Sequence, residues 1–553
     1  MDVGEKKKIA MLAAVVLLLH LPFINKAIHI DDTVFYYIAE QIMDTPGDPY
    51  SFSINWLGSP MTVFDFNSNP PGISYYLAAV FSIFGKGERT AHVSMVAFSL
   101  IAAFSMYYLA KKFVKYPFAA ALLFLFTPIC MIMAHTIMAD VSMAAFYILS
   151  LTLFIYGREA NDKLLLTLAG ISAGLAIMFK YNGISIIPLW ILSYLIYFSR
   201  EKKYDILFVL IPILIFVLWN MATWKLYGGS HFLTQVHMQI YSANGNIWHS
   251  VMHLLPHLVY LGGICALFLI YTLLWDQEKL NRYIGLAIFF ISGVIYIVLL
   301  KDITRYTFPN LLLVVIFLAG IIYLLVICLK SIGARLYRSR SIAKDDLFLL
   351  LWICLVLGMH NSGLHSTAKY MLPAVPPTVM LIIKYSVKLV PKKEVKILAA
   401  TLGGMLCIGI TAAIADYELA GIYRDMARYV EKTVSREKKA SVYFTGHWGF
   451  QYYMEKKGFL AYSQGSNDLK PDDLLITCAL AWPQKVNPEL ISRLRFVGAQ
   501  TFLPGLPFRV MHNYVGEQAN FYSFLTYESV YGVLPISMGK NPVEKVAVYR
   551  VIR

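Results

Sequence analysis

Two adjacent carboxylates follow the first long apolar run of the chain, in the stretch HIDDTVFYYIAEQIM from His29 to Met43. Asp31 or Asp32 could act as a catalytic general base near a sugar held by an aromatic face such as that of Tyr36. The same pattern also suits helix capping, because an aspartate followed by Thr and Val begins a helix well. A cap uses only one carboxylate, so the second is left for chemistry.

Basic residues at the ends of later apolar runs form a second candidate group. They are Lys180 in MFKYNG, Arg305 in DITRYTFP and Lys369 in STAKYMLP. A cation at membrane depth is costly unless an anion pairs with it, so several cations on one face predict a phosphate site. Each could instead be an anchor whose charge reaches the interface. Arg305 and Lys369 share the form basic–Tyr–x–x–Pro, and Tyr370 could donate a hydrogen bond to the phosphate.

The stretch DFNSNPPGISYY, from Asp65 to Tyr76, predicts a turn followed by a helix with prolines in its first turn. The free amides at the start of this helix could face an anion. The alternative is an ordinary junction between a loop and a helix.

Histidines recur every four residues at His249, His253 and His257, a spacing that could align metal ligands along one helix face. Histidines that contact lipid headgroups explain the same spacing. A divalent metal is therefore kept as an alternative, and the residues point to no definite cofactor. No phosphate-binding loop, nucleotide fingerprint or hydrolase triad is present in the sequence.

The composition predicts a polytopic membrane protein. The 553 residues are 58% hydrophobic and only 15% charged, which is too apolar for an ordinary soluble domain. The net charge of +15 would suggest nucleic acid binding in a soluble protein. Here the basic clusters lie between apolar runs, where they set topology and bind anionic headgroups. We therefore expect membrane lipids as partners and no nucleic acid.

Apolar runs of about 17–25 residues predict about thirteen crossings. They lie near 8–24, 90–110, 117–134, 140–157, 163–179, 181–198, 205–224, 258–275, 283–300, 310–329, 347–361, 374–390 and 396–415. The run from Gly72 to Gly85 is shorter and fits an interfacial or re-entrant helix.

The positive-inside rule tests that choice, because the basic loops all fall on the cytoplasmic side only if 72–85 does not cross. After Tyr417 the sequence changes to an amphipathic helix and short strand-like runs. We predict an all-α transmembrane domain over 1–417, with an outer loop at 25–89, and a small extracytoplasmic α/β domain over 418–553. The predicted location is the cell membrane.

In their order along the chain, five segments resemble the GT-C membrane glycosyltransferases, specifically the protein O-mannosyltransferases and the lipid A aminoarabinose transferases. They are the Asp31-Asp32 stretch, NPPGISYYLAAVFSIFG, MADVSMAAFYILSL, GLAIMFKYNGI and KYMLPAVPP. Asn69 stands where aminoarabinose transferases carry a phosphate-contacting lysine, Lys369 replaces an arginine, and Val34 stands where those enzymes have an arginine. These departures argue against aminoarabinose as the sugar.

The resemblance implies a polyprenyl-phosphate sugar donor, an active site on the outer face and transfer with inversion. It assigns the base to Asp31 and a supporting role to Asp32. We expect Lys180, Arg305, Lys369 and Tyr370 to bind the donor phosphate. We expect Asn69, Tyr36 and Asp140 to contact donor or acceptor.

The predicted function is therefore transfer of a hexose or pentose to a hydroxyl of a lipid, glycan or protein. A transporter or flippase of lipid-linked glycans is the alternative. Transporters often show repeated halves, and the sequence shows no internal repeat.

Overall fold

The computed structural model describes residues 3–197, 199, 202–242, 247–276, 278–339, 343–360, 367–389, 393–434, 440–522 and 532–552. The side chains of 238–242, 247–253, 302–303 and 338–339 lie outside this description.

The first part of the chain is almost entirely helical, as its apolar composition predicts. Its helices are α1 (Val3–His20), α2 (Asp32–Asp44), α3 (Val63–Phe66), α4 (Gly72–Phe84), α5 (Glu88–Ser94), α6 (Val96–Ala110), α7 (Pro117–Phe126), α8 (Pro128–Ala134), α9 (Ala139–Ala160), α10 (Lys163–Phe179), α11 (Ile186–Ile196), α12 (Leu210–Tyr227), α13 (His231–Ser242), α14 (Ile247–Trp275), α15 (Lys279–Ile295), α16 (Lys301–Thr304), α17 (Phe308–Ser339), α18 (Lys344–His360), α19 (Val375–Leu389) and α20 (Glu394–Val434).

Among the described residues, eight helical segments are long and apolar enough to cross a membrane. They are Glu88–Ala110, Ala139–Ala160, Asp205–Tyr227, Leu254–Trp275, Lys279–Leu300, Phe308–Tyr337, Ala368–Leu389 and Glu394–Val434. The pair α7 and α8 passes the same test only if it is counted as one span, and the two helices are bent by 65° at the break between them. The predicted polytopic helical fold is therefore confirmed. Four shorter or more charged helices, α1, α10, α11 and α18, also coincide with predicted spans, and the number thirteen stays a prediction.

Local sequence explains where the chain turns between α7 and α8 and between α9 and α10. The bend between α7 and α8 lies at Thr127, whose hydroxyl accepts from the Cys130 amide at 3.4 Å, and Pro128 then starts the new helix. Between α9 and α10, Asn161 adopts the left-handed conformation with φ 53°. Asp162 follows and caps α10 by accepting from two backbone amides. Short polar residues thus turn the chain at both points.

The predicted outer loop contains α2, α4 and a small hairpin of β1 (Ser53–Asn55) and β2 (Pro60–Thr62). The 13-residue α4 corresponds to the short run at 72–85 and is too short to span a bilayer. Gly72 begins α4, and a Cβ there would lie 2.4 Å from the Met178 carbonyl oxygen. Only glycine therefore lets α4 approach the end of α10.

The last part of the chain contains the remaining strands and two short helices. These are β3 (Val442–Phe444), α21 (Trp448–Lys456), β4 (Leu460–Ala461), β5 (Leu474–Cys478), α22 (Pro488–Ser492), β6 (Leu494–Phe502), β7 (Phe508–Arg509), β8 (Met511–His512), β9 (Ala519–Asn520), β10 (Ser537–Met538) and β11 (Glu544–Val551). Five strands form one sheet in the order β4-β3-β5-β11-β6. In it, β3 runs parallel to β4 and β5, whereas β11 is antiparallel to β5 and β6. The predicted C-terminal region with strands is confirmed.

The 41-residue α20 joins the two parts without a break. The predicted boundary between 417 and 418 therefore falls inside a helix, because the amphipathic segment after Tyr417 continues the preceding apolar run. The division into two domains at that position stays a prediction.

Candidate functional site

The site is built on the short segment that leads into α2. Asp31 occupies the N-cap position of α2, but among the described residues its carboxylate makes no capping hydrogen bond. It accepts instead from the Lys369 ammonium, with 2.5 Å between Nζ and Oδ2. The side chain of Asp31 is 36% exposed and that of Lys369 is 5% exposed. The pair is thus open to solvent only on its carboxylate side.

Lys369 belongs to a 3-10 helix, Ala368–Ala374, that continues into α19. This segment is packed into the protein, so the lysine cannot extend to water and must find its anion inside. Besides Asp31, Nζ lies 3.9 Å from the Met138 sulfur. A buried ammonium with one carboxylate and one weak sulfur acceptor can take a further anionic oxygen.

A second pair of the same chemistry lies beside the first. Lys180 follows α10 in extended conformation, and its ammonium donates to the Asp140 carboxylate at 2.7 Å. Asp140 lies in the first turn of α9, where a negative charge is favoured by the helix dipole. Both side chains are buried, with exposed fractions of 8% and 2%.

Tyr370 joins the two pairs. It follows Lys369 in the chain, and its ring lies 4.8 Å below the Lys180 ammonium. The His360 ring stacks on the Tyr370 ring, with 5.4 Å between the two ring centroids. The structure thus brings together two lysines, two carboxylates and a phenol. Lys180, Lys369 and Tyr370 were predicted to bind the donor phosphate, Asp140 to contact donor or acceptor, and Asp31 to act as the base.

Asp32 has a different environment from Asp31. It is fully buried, and one carboxylate oxygen accepts from the Ile137 amide at 2.9 Å. The other oxygen finds no hydrogen-bond partner among the described residues. Burial raises the pKa of Asp32 to about 8, although Lys26 and the Ile137 amide oppose the shift. Asp32 is therefore largely protonated near neutral pH, and its burial separates its carboxyl from solvent.

Asn69 lies in the turn before α4. Its carbonyl accepts from the Tyr50 hydroxyl and from the Asn67 side-chain amide, both at 2.7 Å. These bonds hold the backbone of the turn and leave its partly exposed side chain outside the network. Its role in binding donor or acceptor stays a prediction.

Two of the predicted residues lie apart from the lysine pairs. Tyr36 is buried between Phe81 and Tyr452, at 5.0 and 5.3 Å between ring centroids. It therefore packs helices together and presents no free aromatic face. Arg305 is exposed and adopts the left-handed conformation with φ 46° at the end of α16. Its place in a phosphate site and that of Tyr36 in sugar binding stay predictions.

The residues provide a poor fit for a divalent metal. Asp31 and Asp140 are already neutralised by lysine ammonium groups, and a cation placed beside them would meet two like charges. Among the described residues, no three His, Cys, Asp or Glu side chains cluster as metal ligands. His249 and His253 lie outside the described side chains.

Sequence reasoning missed several groups around the site. Lys26, His29 and Asp416 form a buried cluster next to Asp31, and Tyr522 comes from the C-terminal part. Lys26 and His29 stand beside the recognised Asp31-Asp32 pair, and Asp416 is a lone acid at the end of an apolar run. Those two signals could have identified the cluster. Nothing in the sequence marks Tyr522.

Comparison with known proteins bears on these residues. A family model described as "Dolichyl-phosphate-mannose-protein mannosyltransferase" matches residues 68–224. The resemblance inferred from the motifs is confirmed. The matched segment contains Asn69, Asp140 and Lys180, whereas Asp31 and Lys369 lie outside it. No curated protein compared with the chain matches it.

The solved structures of two other proteins contain chains that are similar to this one. The archaeal oligosaccharyltransferase AglB from Archaeoglobus fulgidus, in complex with an inhibitory peptide and a dolichol-phosphate, is 12% identical with a TM-score of 0.49. The alignment covers 86% of this chain and 70% of AglB. ArnT from Cupriavidus metallidurans bound to undecaprenyl phosphate is 13% identical with a TM-score of 0.43. The alignment covers 88% of this chain and 97% of ArnT. The structure of ArnT from Cupriavidus metallidurans in the apo state is also 13% identical, with a TM-score of 0.43. That alignment covers 86% of this chain and 93% of ArnT.

Proposed function

We propose that the chain transfers a sugar from a polyprenyl-phosphate carrier to a hydroxyl of a lipid, glycan or protein acceptor, with inversion. The observation that supports this most strongly is the pair of Asp31 and Lys369. It combines a carboxylate that solvent can reach with a buried cation that can accept another anion. The family match of residues 68–224 supports the same class of reaction.

In the proposed reaction the donor phosphate enters between Lys369 and Lys180. The phosphate oxygens compete with the carboxylates for the two ammonium groups, since charge-assisted bonds to phosphate are strong. Asp31 then loses its lysine partner and becomes free to accept a proton. Donor binding would in this way activate the base.

Asp31 takes the proton of the acceptor hydroxyl, and the acceptor oxygen forms a bond to the anomeric carbon. The bond between that carbon and the phosphate oxygen breaks on the opposite face, so the configuration inverts. The electron pair leaves with the polyprenyl phosphate, whose charge the two lysines stabilise. Phosphate is a good leaving group, so a general acid is not needed.

The sugar is proposed to be a hexose or a pentose, and the site is proposed to face the outside of a bacterial or archaeal cell membrane. The outward position rests on the basic loops predicted to be cytoplasmic. Some of these gather at a common end of the helices. For example, Lys115 pairs with Glu394 at 2.8 Å and Tyr197 donates to Asp345 at 2.8 Å. No observation favours the transporter over the transferase.

The test uses the purified full chain in lipid vesicles with a panel of polyprenyl-phosphate hexoses and pentoses. Acceptors are extracts of the lipids, glycans and proteins of the source membrane, and the readouts are release of polyprenyl phosphate and transfer of labelled sugar. We expect transfer from at least one donor and none with Asp31→Asn. Absence of transfer from every donor, or equal transfer by Asp31→Asn, would overturn the proposal. Mass spectrometry of glycans and lipids from a deletion strain identifies the acceptor.

A further inference from the structure

A buried charge cluster lies directly behind the Asp31 segment. The Lys26 ammonium pairs with one oxygen of Asp416, and the His29 Nε2 atom lies 3.1 Å from the other. Lys26 is 1% exposed, and the other two side chains are fully buried. Burying an ion pair costs several kcal/mol in desolvation, so such a cluster is a weak source of stability. Its presence calls for a role beyond holding the fold.

The cluster borders a strained point of the backbone. Ile30, between His29 and Asp31, has φ 48°, a conformation that β-branched residues rarely adopt. Such a conformation persists only where the surrounding structure imposes it, and it is found mainly at functional sites. Here the side chains of Lys26 and His29 are both fixed on Asp416 just before Ile30. Asp31 follows immediately and is turned toward Lys369.

The C-terminal part holds the same segment from another side. A Cβ on Gly449, at the start of α21, would lie 2.2 Å from the Ile28 carbonyl oxygen, so the two backbones are in close contact. The Ile28 amide donates to the Tyr453 hydroxyl at 3.0 Å. The Thr33 hydroxyl donates to the Trp448 carbonyl at 2.9 Å. The segment is thus fixed both before and after Asp31.

Tyr522 connects the buried cluster with the open ion pair. Its ring meets the edge of His29 at 5.1 Å between centroids, and the Lys369 ammonium lies 5.8 Å from its centre. Tyr522 therefore lies between the Lys26–Asp416–His29 cluster and the Lys369–Asp31 pair.

We propose that Asp416 is a positioning residue for the transfer reaction. Through Lys26 and His29 it holds the backbone at Ile30 in the strained conformation that presents Asp31 to the acceptor and to Lys369. This inference rests on the proposed function, in which Asp31 is the base. Asp416 itself touches neither substrate.

The first test compares Asp416→Asn with the double variant Lys26→Met/Asp416→Leu. The double variant removes both buried charges, a change that commonly leaves stability unchanged or improves it. A matched control is Asp346→Asn, because Asp346 is also buried and pairs with Lys384 at 2.6 Å in a cluster that includes Tyr385. Thermal unfolding, kcat and the donor KM are measured for each variant.

We expect Asp416→Asn to lower kcat by about 10–100-fold with little change in donor KM, because small misplacements of a reacting group have effects of that size. The double variant should unfold near the wild-type temperature but keep the low kcat. Asp346→Asn should lower the unfolding temperature and leave kcat per folded molecule unchanged. A double variant that recovers both stability and kcat would show that the cluster only stabilises the fold, and would overturn the inference.

A second readout needs no substrate. Asp31→Cys is introduced together with Cys354→Ala and Cys407→Ala, which remove the two exposed cysteines, and its alkylation is followed against pH. Beside Lys369, the thiol should ionise below its ordinary pKa of about 8.5. Adding Asp416→Asn should move the alkylation midpoint back toward that value. An unchanged midpoint would overturn the inference even if the wild type proved inactive on every donor, an outcome that would refute only the proposed function.

Discussion

The two lysine–carboxylate pairs have the same chemistry but different access to solvent. In the Lys180–Asp140 pair the carboxylate side chain is 2% exposed, whereas in the Lys369–Asp31 pair it is 36% exposed. A carboxylate enclosed with its cation can fix a charge in place but cannot meet an incoming hydroxyl. The difference teaches that, of these two acids beside buried lysines, only Asp31 has a carboxylate that solvent can reach.

The elements that carry the acids explain this contrast. Asp140 lies in the first turn of α9, a 22-residue helix packed on most sides. Asp31 lies at the N-cap position of α2, in the segment that follows α1. One acid is therefore part of the helix bundle, and the other lies at its edge.

The largest effect is expected from Asp31→Asn, which keeps the shape of the side chain but cannot accept a proton. We expect kcat to fall by about 10²–10⁴-fold, the usual contribution of a general base. Undecaprenyl phosphate should still bind, because both lysines remain. Transfer of labelled sugar and binding of the lipid are measured on the same sample. If Asp31→Asn keeps more than a tenth of the wild-type activity, another residue is the base.

Asp140→Asn is expected to act mainly on stability. It leaves Lys180 buried without its anion, and breaking one partner of a buried pair costs about 3–5 kcal/mol. Asp31→Asn also leaves a buried lysine, Lys369, but water can reach this pair on its carboxylate side, so the loss should be smaller. Denaturant unfolding in detergent compares the two variants. Equal losses would mean that the exposure of the two pairs does not govern their energetics.

Lys369→Met tests whether the open pair binds phosphate. Loss of one charge-assisted bond, worth about 1.5–3 kcal/mol, should weaken undecaprenyl phosphate binding by about 10–150-fold. Arg305→Ala is the comparison, and because Arg305 is exposed we expect a loss below about 3-fold. Binding is measured by isothermal titration in vesicles. If Arg305→Ala weakens binding as strongly as Lys369→Met, the sequence-based phosphate site with three cations is right.

Counted per pH unit, the smallest change in free energy is expected for the second acid of the Asp31-Asp32 pair. Folding raises the pKa of Asp32 from 3.8 to about 8 in a site facing Lys26, Asp416 and Asp31. Between these values the unfolded chain binds fewer protons than the folded one, so stability falls as pH rises from about 4 to 8. Asp32→Asn should flatten this slope by up to about 1.4 kcal/mol per pH unit. Unfolding midpoints of the wild type and of Asp32→Asn are measured from pH 4.5 to 8. If the two midpoints change in parallel with pH, the raised pKa of Asp32 is contradicted.

Much of the fold follows from the sequence, because spans are set by length and hydropathy alone. The short α4 and the bend at Thr127 show where local residues modify that rule, and only the bend was missed. The continuation of α20 past Tyr417 was also missed, because an amphipathic end after an apolar run reads as a new element. Periodicity indicates that a helix forms, not whether two helices are one.

The candidate site was predictable in part for a similar reason. Lys180 and Lys369 were identified by the cost of a cation at membrane depth, and that cost is what makes each of them seek a carboxylate. The pairing itself depends on tertiary contacts between residues 338 positions apart in the case of Asp31 and Lys369. The Tyr36 ring packs against Phe81 and Tyr452, contacts that the sequence does not indicate, and its role in sugar binding stays a prediction.

The uninterrupted α20 has a mechanical consequence. At 1.5 Å per residue its 41 residues reach about 60 Å, roughly twice the hydrocarbon thickness of a bilayer. Glu418, two residues beyond Asp416, accepts from the Gly505 and Leu506 amides at 3.0 and 3.2 Å and so ties the C-terminal part to the helix. The length of α20 therefore sets the distance between the start of this helix and the C-terminal part. One residue inserted below Asp416 would raise everything after it by about 1.5 Å and turn it by about 100°. The contacts of Glu418 with Gly505 and Leu506 therefore depend on the length of α20 below them.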